Sequence, residues 1–308
     1  MLDPLPARFI AAIVGAWPQD GPAFLARLPE LIREYEARWE IRALPPFPLS
    51  YNYVAPAVTL DGRDVVLKLG VPDPEFTCEI EALRLYAGDG AARLLKAEPE
   101  RGAQLLERVL PGEPLGQLDD DDAATLIAAE KMAQLWRPLP PGHSFPDLRR
   151  WTRSLSQYAA RRADPPGPLR AHLVRRAAAL LDDLLAAPEE PVLLHGDFHH
   201  WNVLRAEREP PEPVPWLAID PKGIAAERAF EVGPLLYNPF DDLLAHPNLA
   251  RLTARRLDIL VERLGLDRQR LVACGFVGAM LSACWSAEQG DATLPGTVAL
   301  AAVLAEWL

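Results

Sequence analysis

Between Phe47 and Val109 this 308-residue chain reads as strands, and from Asp119 onward it reads mostly as helices. Tyr, Val and Thr dominate from Phe47 to Leu69 around an Asp61-Gly62 turn, which predicts a β-hairpin. ARLLKAE (92–98) and AQLLERV (103–109), on either side of Pro99–Gly102, predict a second. A helix is expected over 74–87, and an amphipathic one over 22–39. In the latter Phe24, Leu28, Leu31, Ile32, Tyr35 and Trp39 recur at helical spacing. Further helices are expected over 119–136, 147–163, 168–187, 247–264, 267–288 and 296–308. Short strands interrupt them at Val192-Leu193-Leu194, Asn202–Ala206 and Trp216–Ile219. An α+β chain of two lobes follows, β-rich over 1–110 and mainly helical over 111–308. The cleft between two such lobes is the usual place for a ligand.

Charge narrows the partners. A net charge of −11, from 43 acids and 32 bases, argues against a nucleic-acid backbone and is compatible with a cationic small molecule. Cys78, Cys274 and Cys284 are odd in number and far apart. They suggest neither a disulfide framework nor a zinc ribbon, and fit a reducing cytoplasm. Met1 to Asp20 lacks the basic patch and apolar run of a signal peptide. Leu271–Ala287 is the most apolar stretch, a little short of a membrane span and flanked by charge. It is expected to be a buried core helix, in a cytoplasmic protein with no membrane partner.

The chemistry concentrates in residues 193–223, LLHGDFHHWNVLRAEREPPEPVPWLAIDPKG. His195, His199 and His200 surround Asp197; Asn202 follows, and Asp220 ends an apolar run. Gly196 lets the backbone bend at the tip of a tight turn and present Asp197. Asn202 and Asp220 offer hard oxygens suited to Mg²⁺. The stretch 203–219 is long enough for an out-and-back hairpin, with its turn in the proline-rich 207–215, that returns Asp220 beside Asn202. One carboxylate to orient a nucleophile and an oxygen pair for a metal are the equipment of phosphoryl transfer.

This segment resembles the catalytic loop of the protein-kinase-like aminoglycoside phosphotransferases: His-Gly-Asp, four variable residues, Asn, and a metal-binding Asp at the end of the next strand. HGDFHHWNVL, AIDPKG and EVGPLLYNP are most similar to the streptomycin 6-kinase and hydroxyurea phosphotransferase subfamily, over roughly residues 45 to 290. The resemblance implies a two-lobed kinase-like fold that uses ATP and Mg²⁺ to phosphorylate a hydroxyl of a streptomycin-like aminoglycoside or of hydroxyurea. It implies that Asp197 accepts or orients that hydroxyl and that Asn202 and Asp220 hold Mg²⁺ on the phosphates. Lys68, in VVLKLG, would be the phosphate-contacting lysine, held by a carboxylate of the following helix. Glu79 suits that role better than Glu81. In LERVL, the Glu107 carbonyl and Val109 amide would bond adenine. The glycine-rich loop of protein kinases is missing from SYNYVAPAVTLDG, so Ser50, Asn52 and backbone amides would touch phosphate instead.

Other readings of the same residues stand beside these. His199 and His200 with Asp197 and Asp220 could bind zinc for hydrolysis. A nucleotide-binding protein that has lost catalysis is a further reading, against which the set of Lys68, Asp197, Asn202 and Asp220 argues. His195 is expected to order the loop, and Glu231 to brace it by accepting backbone amides. Lys222 reaches phosphate or caps the loop. Trp285 and Glu288 line an acceptor pocket, or pack in the core and cap the surface. Cys78 and Trp201 are taken as packing residues, and Asp119 to Asp122 as a helix N-terminus favoured by its dipole.

Overall fold

A computed structural model describes residues 5–161, 169–208, 214–289 and 294–308. The chain divides into two compact units, Met1–Val109 and Leu110–Leu308. In the first, α1 (Ala7–Ala16) and α2 (Gly21–Trp39) precede a sheet of β1 (Ile41–Ala43), β2 (Tyr53–Thr59) and β3 (Asp64–Leu69). Then come α3 (Pro74–Tyr86), β4 (Leu94–Glu98) and β5 (Ala103–Glu107). The strand order is β1-β2-β3-β5-β4, antiparallel throughout, so β3 lies at the centre. The apolar stripe of α2 is buried at every expected position and shares one core with Phe9 and Ile13 of α1 and with Tyr53, Leu67 and Leu105 of the sheet. α3 begins where Asp73 accepts a hydrogen bond from the Phe76 amide, with Pro74 in the first turn.

The second unit opens with β6 (Pro111–Pro114) and α4 (Asp121–Leu135), then α5 (Leu148–Trp151), α6 (Arg153–Ala160) and α7 (Ala171–Ala186). The short strands β7 (Val192–Leu194), β8 (Val203–Ala206), β9 (Trp216–Ala218) and β10 (Ile224–Ala226) follow. The chain ends in α8 (Val232–Leu236), α9 (Phe240–Ala245), α10 (Leu249–Leu264), α11 (Arg268–Gln289) and α12 (Leu294–Ala305). β8 and β9 form the expected antiparallel hairpin, Val203 opposite Ala218; part of its 207–215 turn lies outside the described residues. β7 pairs with β10 and β6 with β8.

The helix expected over 147–163 is broken at Thr152. α5 and α6 meet there, and both the amide and the hydroxyl of Thr152 donate to the Leu148 carbonyl. The last two residues of that expected helix, and the start of the one at 168, lie outside the described residues. α11 is long and apolar enough to cross a membrane, but Leu271 through Cys284 are buried inside the unit, as a core helix requires. The acids at the start of α4 act as expected of an N-terminus: Asp120 accepts from the Ala123 amide. Asp121 also pairs with buried Arg256, whose guanidinium donates to the Leu235 and Asn238 carbonyls.

Candidate active site

In the first unit the β3 register places Lys68 opposite Val54 on β2 and Gln104 on β5. Lys68 is 2% exposed, so its amine must be paired. It donates to both oxygens of Glu79, at 2.7 and 2.8 Å. Glu79 points inward from α3, while Glu81 is half-buried. The Gln104 amide nitrogen donates to Glu79 Oε1 at 2.8 Å, fixing the carboxylate from a third direction. Gln104 escaped the sequence reading because its role comes from strand register, and nothing in AQLLE marks it.

Gly70 follows this lysine by two residues. A Cβ there would lie 2.1 Å from Asn52 Oδ1 and 3.0 Å from the Phe76 ring, so only glycine lets Asn52 seat against the strand end. Ser50 is exposed. Glu107 is the last residue of β5; its amide donates to the Arg93 carbonyl, and its carboxylate accepts from the Arg93 amide. Val109 is buried two residues on.

In the second unit, two turns are stitched together. The His195 carbonyl accepts from the Lys222 and Gly223 amides, at 2.7 and 3.2 Å. The His195 ring accepts the Asp197 amide at Nδ1, so Nε2 carries the proton and donates to the Ile219 carbonyl at 2.8 Å. Burial holds its pKa down to about 4, which keeps the ring neutral in that tautomer. Asn202 completes the stitching. Its Nδ2 donates to the Asp197 carbonyl at 3.0 Å, and its own carbonyl accepts the Ile219 amide at 2.9 Å. Asp197, Asn202 and the strand end that carries Asp220 are thereby brought together. Both carboxylates also act electrostatically on His195 and His199.

Backbone geometry sharpens both turns. Gly196 has φ +81°, and a Cβ there would meet Ile224 side-chain atoms at 2.4 and 2.6 Å. Asp220 holds φ +57°, a left-handed conformation that costs a non-glycine residue about 1 kcal/mol or more. Glu231, fully buried, accepts the His195 and Gly196 amides at 2.8 Å each. Burial raises its pKa to about 7 against the pull of those two amides.

Lys222 contributes its amide to the stitching, and its side chain is near enough to His199 to lower that ring's proton affinity. His199 Nδ1 accepts the Trp201 amide, and its Nε2 lies 3.7 Å from Asp197 Oδ1. His200 turns away into the interior, with neither ring nitrogen hydrogen-bonded and its pKa lowered to about 3 by burial.

Among the described residues no three His, Cys, Asp or Glu side chains gather as a metal cluster, so the zinc reading finds no support. Asn202 spends its amide nitrogen on Asp197 and leaves its oxygen, which with the Asp220 carboxylate makes a hard-oxygen set that fits Mg²⁺. The packing role expected for Trp201 is corrected. The 3₁₀ turn His200–Asn202 buries its first and last residues and leaves Trp201 47% exposed, its indole over Gly116.

Residues 49–290 match the sequence model of a family described as aminoglycoside/hydroxyurea antibiotic resistance kinase. Streptomycin 6-kinase of Streptomyces glaucescens is 35% identical over 305 residues, 97% of this chain and 96% of that protein. Hydroxyurea phosphotransferase of Kitasatospora aureofaciens is 34% identical over 306 residues, 97% of this chain and 85% of that protein. Among solved structures, an amicoumacin kinase in complex with AMP-PNP and Ca²⁺ aligns with a TM-score of 0.62 at 15% identity, over 92% of this chain and 95% of that one. That last likeness is one of fold, and it is the protein-kinase-like α+β fold expected from the sequence.

Proposed function

Since the chain belongs to the aminoglycoside/hydroxyurea antibiotic resistance kinase family, phosphotransferases with a hydroxyl acceptor, we propose that it transfers the γ-phosphoryl group of ATP to a hydroxyl of a streptomycin-like aminoglycoside. The observation that carries this reading is the joined pair of turns: Asn202 bonded to Asp197 through its side chain and to Ile219 through its backbone, directly before Asp220.

Lys68 contacts the α- and β-phosphates. Glu79 and Gln104 hold its amine in place, so no side-chain freedom is lost when nucleotide binds. The Glu107 carbonyl and Val109 amide bond the adenine edge. Asn202 and Asp220 would hold Mg²⁺, which when bound would offset charge on the phosphates. Asp197 accepts a hydrogen bond from the acceptor hydroxyl and aligns its oxygen in line with the γ-phosphorus. His195, neutral and hydrogen-bonded at both nitrogens, holds the two turns in register and carries no proton in the reaction. The whole rests on positioning and electrostatics, with no covalent enzyme intermediate.

Hydroxyurea is the second acceptor, favoured by the relative that shares 34% identity. A compartment open to ATP, the cytoplasm, follows from the same reading. The test is ATP consumption over a panel of aminoglycosides and hydroxyurea, with product mass. A phosphorylated streptomycin supports the reading; ATP turnover with no phosphorylated acceptor refutes it.

A further inference from the structure

One side of α11 carries Ser282, Trp285 and Glu288 at three-residue intervals. Ser282 hydrogen-bonds the Tyr237 phenol, and that phenol lies close enough to Asp197 for the carboxylate to oppose its ionisation. The row therefore begins beside the catalytic loop, with Ser282 buried, and reaches solvent at Glu288, about 9 Å along the axis at 1.5 Å per residue.

Trp285 meets Trp151 of α5 edge-on, ring centroids 5.3 Å apart at 81°, and both rings are half-buried. Arg161, the residue that ends α6, lays its guanidinium over the Tyr158 ring, 3.9 Å from the centroid. The same guanidinium lies 3.8 Å from Glu288 Oε1. Aromatic faces beside a carboxylate at the solvent edge are the means by which proteins hold a planar cation. An ion pair this exposed adds little to stability, so the fold does not depend on it.

We propose that Trp151, Tyr158, Trp285 and Glu288 form a seat for a guanidinium group of the phosphate acceptor, and that Arg161 fills this seat in the present structure as a stand-in for it. The proposal rests on the kinase reading above and names which end of the acceptor is recognised. An incoming guanidinium displaces Arg161, and the rest of a multi-ring acceptor extends along the Ser282 row toward Asp197. Streptomycin carries guanidinium groups and suits such a seat; hydroxyurea, small and uncharged, gains nothing from it. The net charge of −11 draws cations to the protein as a whole.

The test is calorimetric binding of streptomycin to the full chain and to its Arg161→Gln and Glu288→Gln variants, with ethylguanidinium as competitor. Arg161→Gln is expected to tighten streptomycin binding several-fold by removing the internal competitor, and Glu288→Gln to weaken it about tenfold by removing the carboxylate. Ethylguanidinium should compete with streptomycin on the wild type and lose that effect in Glu288→Gln. Hydroxyurea and ATP binding should be unmoved in both. Streptomycin affinity unchanged by either substitution overturns the seat, and so does an Arg161→Gln variant that weakens binding as Glu288→Gln does. The two readings fail separately. Streptomycin that is bound with these shifts but never phosphorylated leaves the seat and removes the transferase. Streptomycin that is phosphorylated with a KM moved by neither substitution leaves the transferase and removes the seat.

Discussion

Lys68 and Glu79 are buried together, and a buried ion pair is costly to leave half-made. Lys68→Met strands the Glu79 carboxylate with Gln104, an arrangement expected to cost about 3 kcal/mol or more in urea unfolding. Adding Glu79→Leu should recover most of that loss, because an apolar pair needs no solvation, while ATP turnover stays abolished. A double variant that regains turnover would show that the pair serves stability alone. Glu79 was legible through the family resemblance, which implies that a strand lysine pairs with a glutamate of the next helix. Gln104 was not, since its partner is set by a cross-strand register. The buried histidines give a second prediction at this scale. Burial lowers the pKa of His195 to about 4 and of His200 to about 3, below the 6.5 of an unfolded histidine. Their contribution is fully present above pH 6.5 and is lost as pH falls toward 4, on the order of 3 kcal/mol for His195. Glu231 runs the other way: its raised pKa gives stability below about 4.5 that is lost as pH rises through about 7. His200→Phe should therefore flatten the fall of the urea midpoint between pH 6.5 and 4. An unchanged slope would remove His200 from that account.

The catalytic turn is the element on which the chemistry depends, and its shape is over-determined by Gly196 and Glu231. Gly196→Ala forces a side chain at φ +81° into Ile224. A loss of about 2 kcal/mol in stability is expected, with a larger fall in kcat than rise in the KM for ATP. Ile224→Ala in the same chain should restore only part of it, since space is regained and the dihedral is not; full rescue would mean the contact alone mattered. Glu231→Gln sets an amide donor against a backbone N–H and should lower kcat with the KM for ATP little changed. Periodicity displays the α2 stripe clearly, because it buries one face over many residues, and the β8–β9 hairpin was legible from the length of 203–219 and its proline-rich turn. β10 and α8 are three and five residues long, too short for any period, and are held by partners distant in the chain. The interruption at Thr152 spans a single residue, which no apolar pattern registers.

At the scale of the whole molecule, the paired lysine belongs to one compact unit and the stitched turns to the other, in a chain whose family is set by sequence. Net charge argues against a nucleic-acid partner, yet it could not choose between streptomycin and hydroxyurea, because it records no position. The measurement that bears most directly on the central claim is ATP-dependent phosphorylation of streptomycin and hydroxyurea by the wild type and by Asp197→Asn, read by product mass and nucleotide affinity. The account predicts that the wild type adds one phosphoryl group to an acceptor. It predicts that Asp197→Asn lowers kcat by about 10²–10⁴ while ATP binds as before. Turnover at the wild-type rate in Asp197→Asn would contradict it.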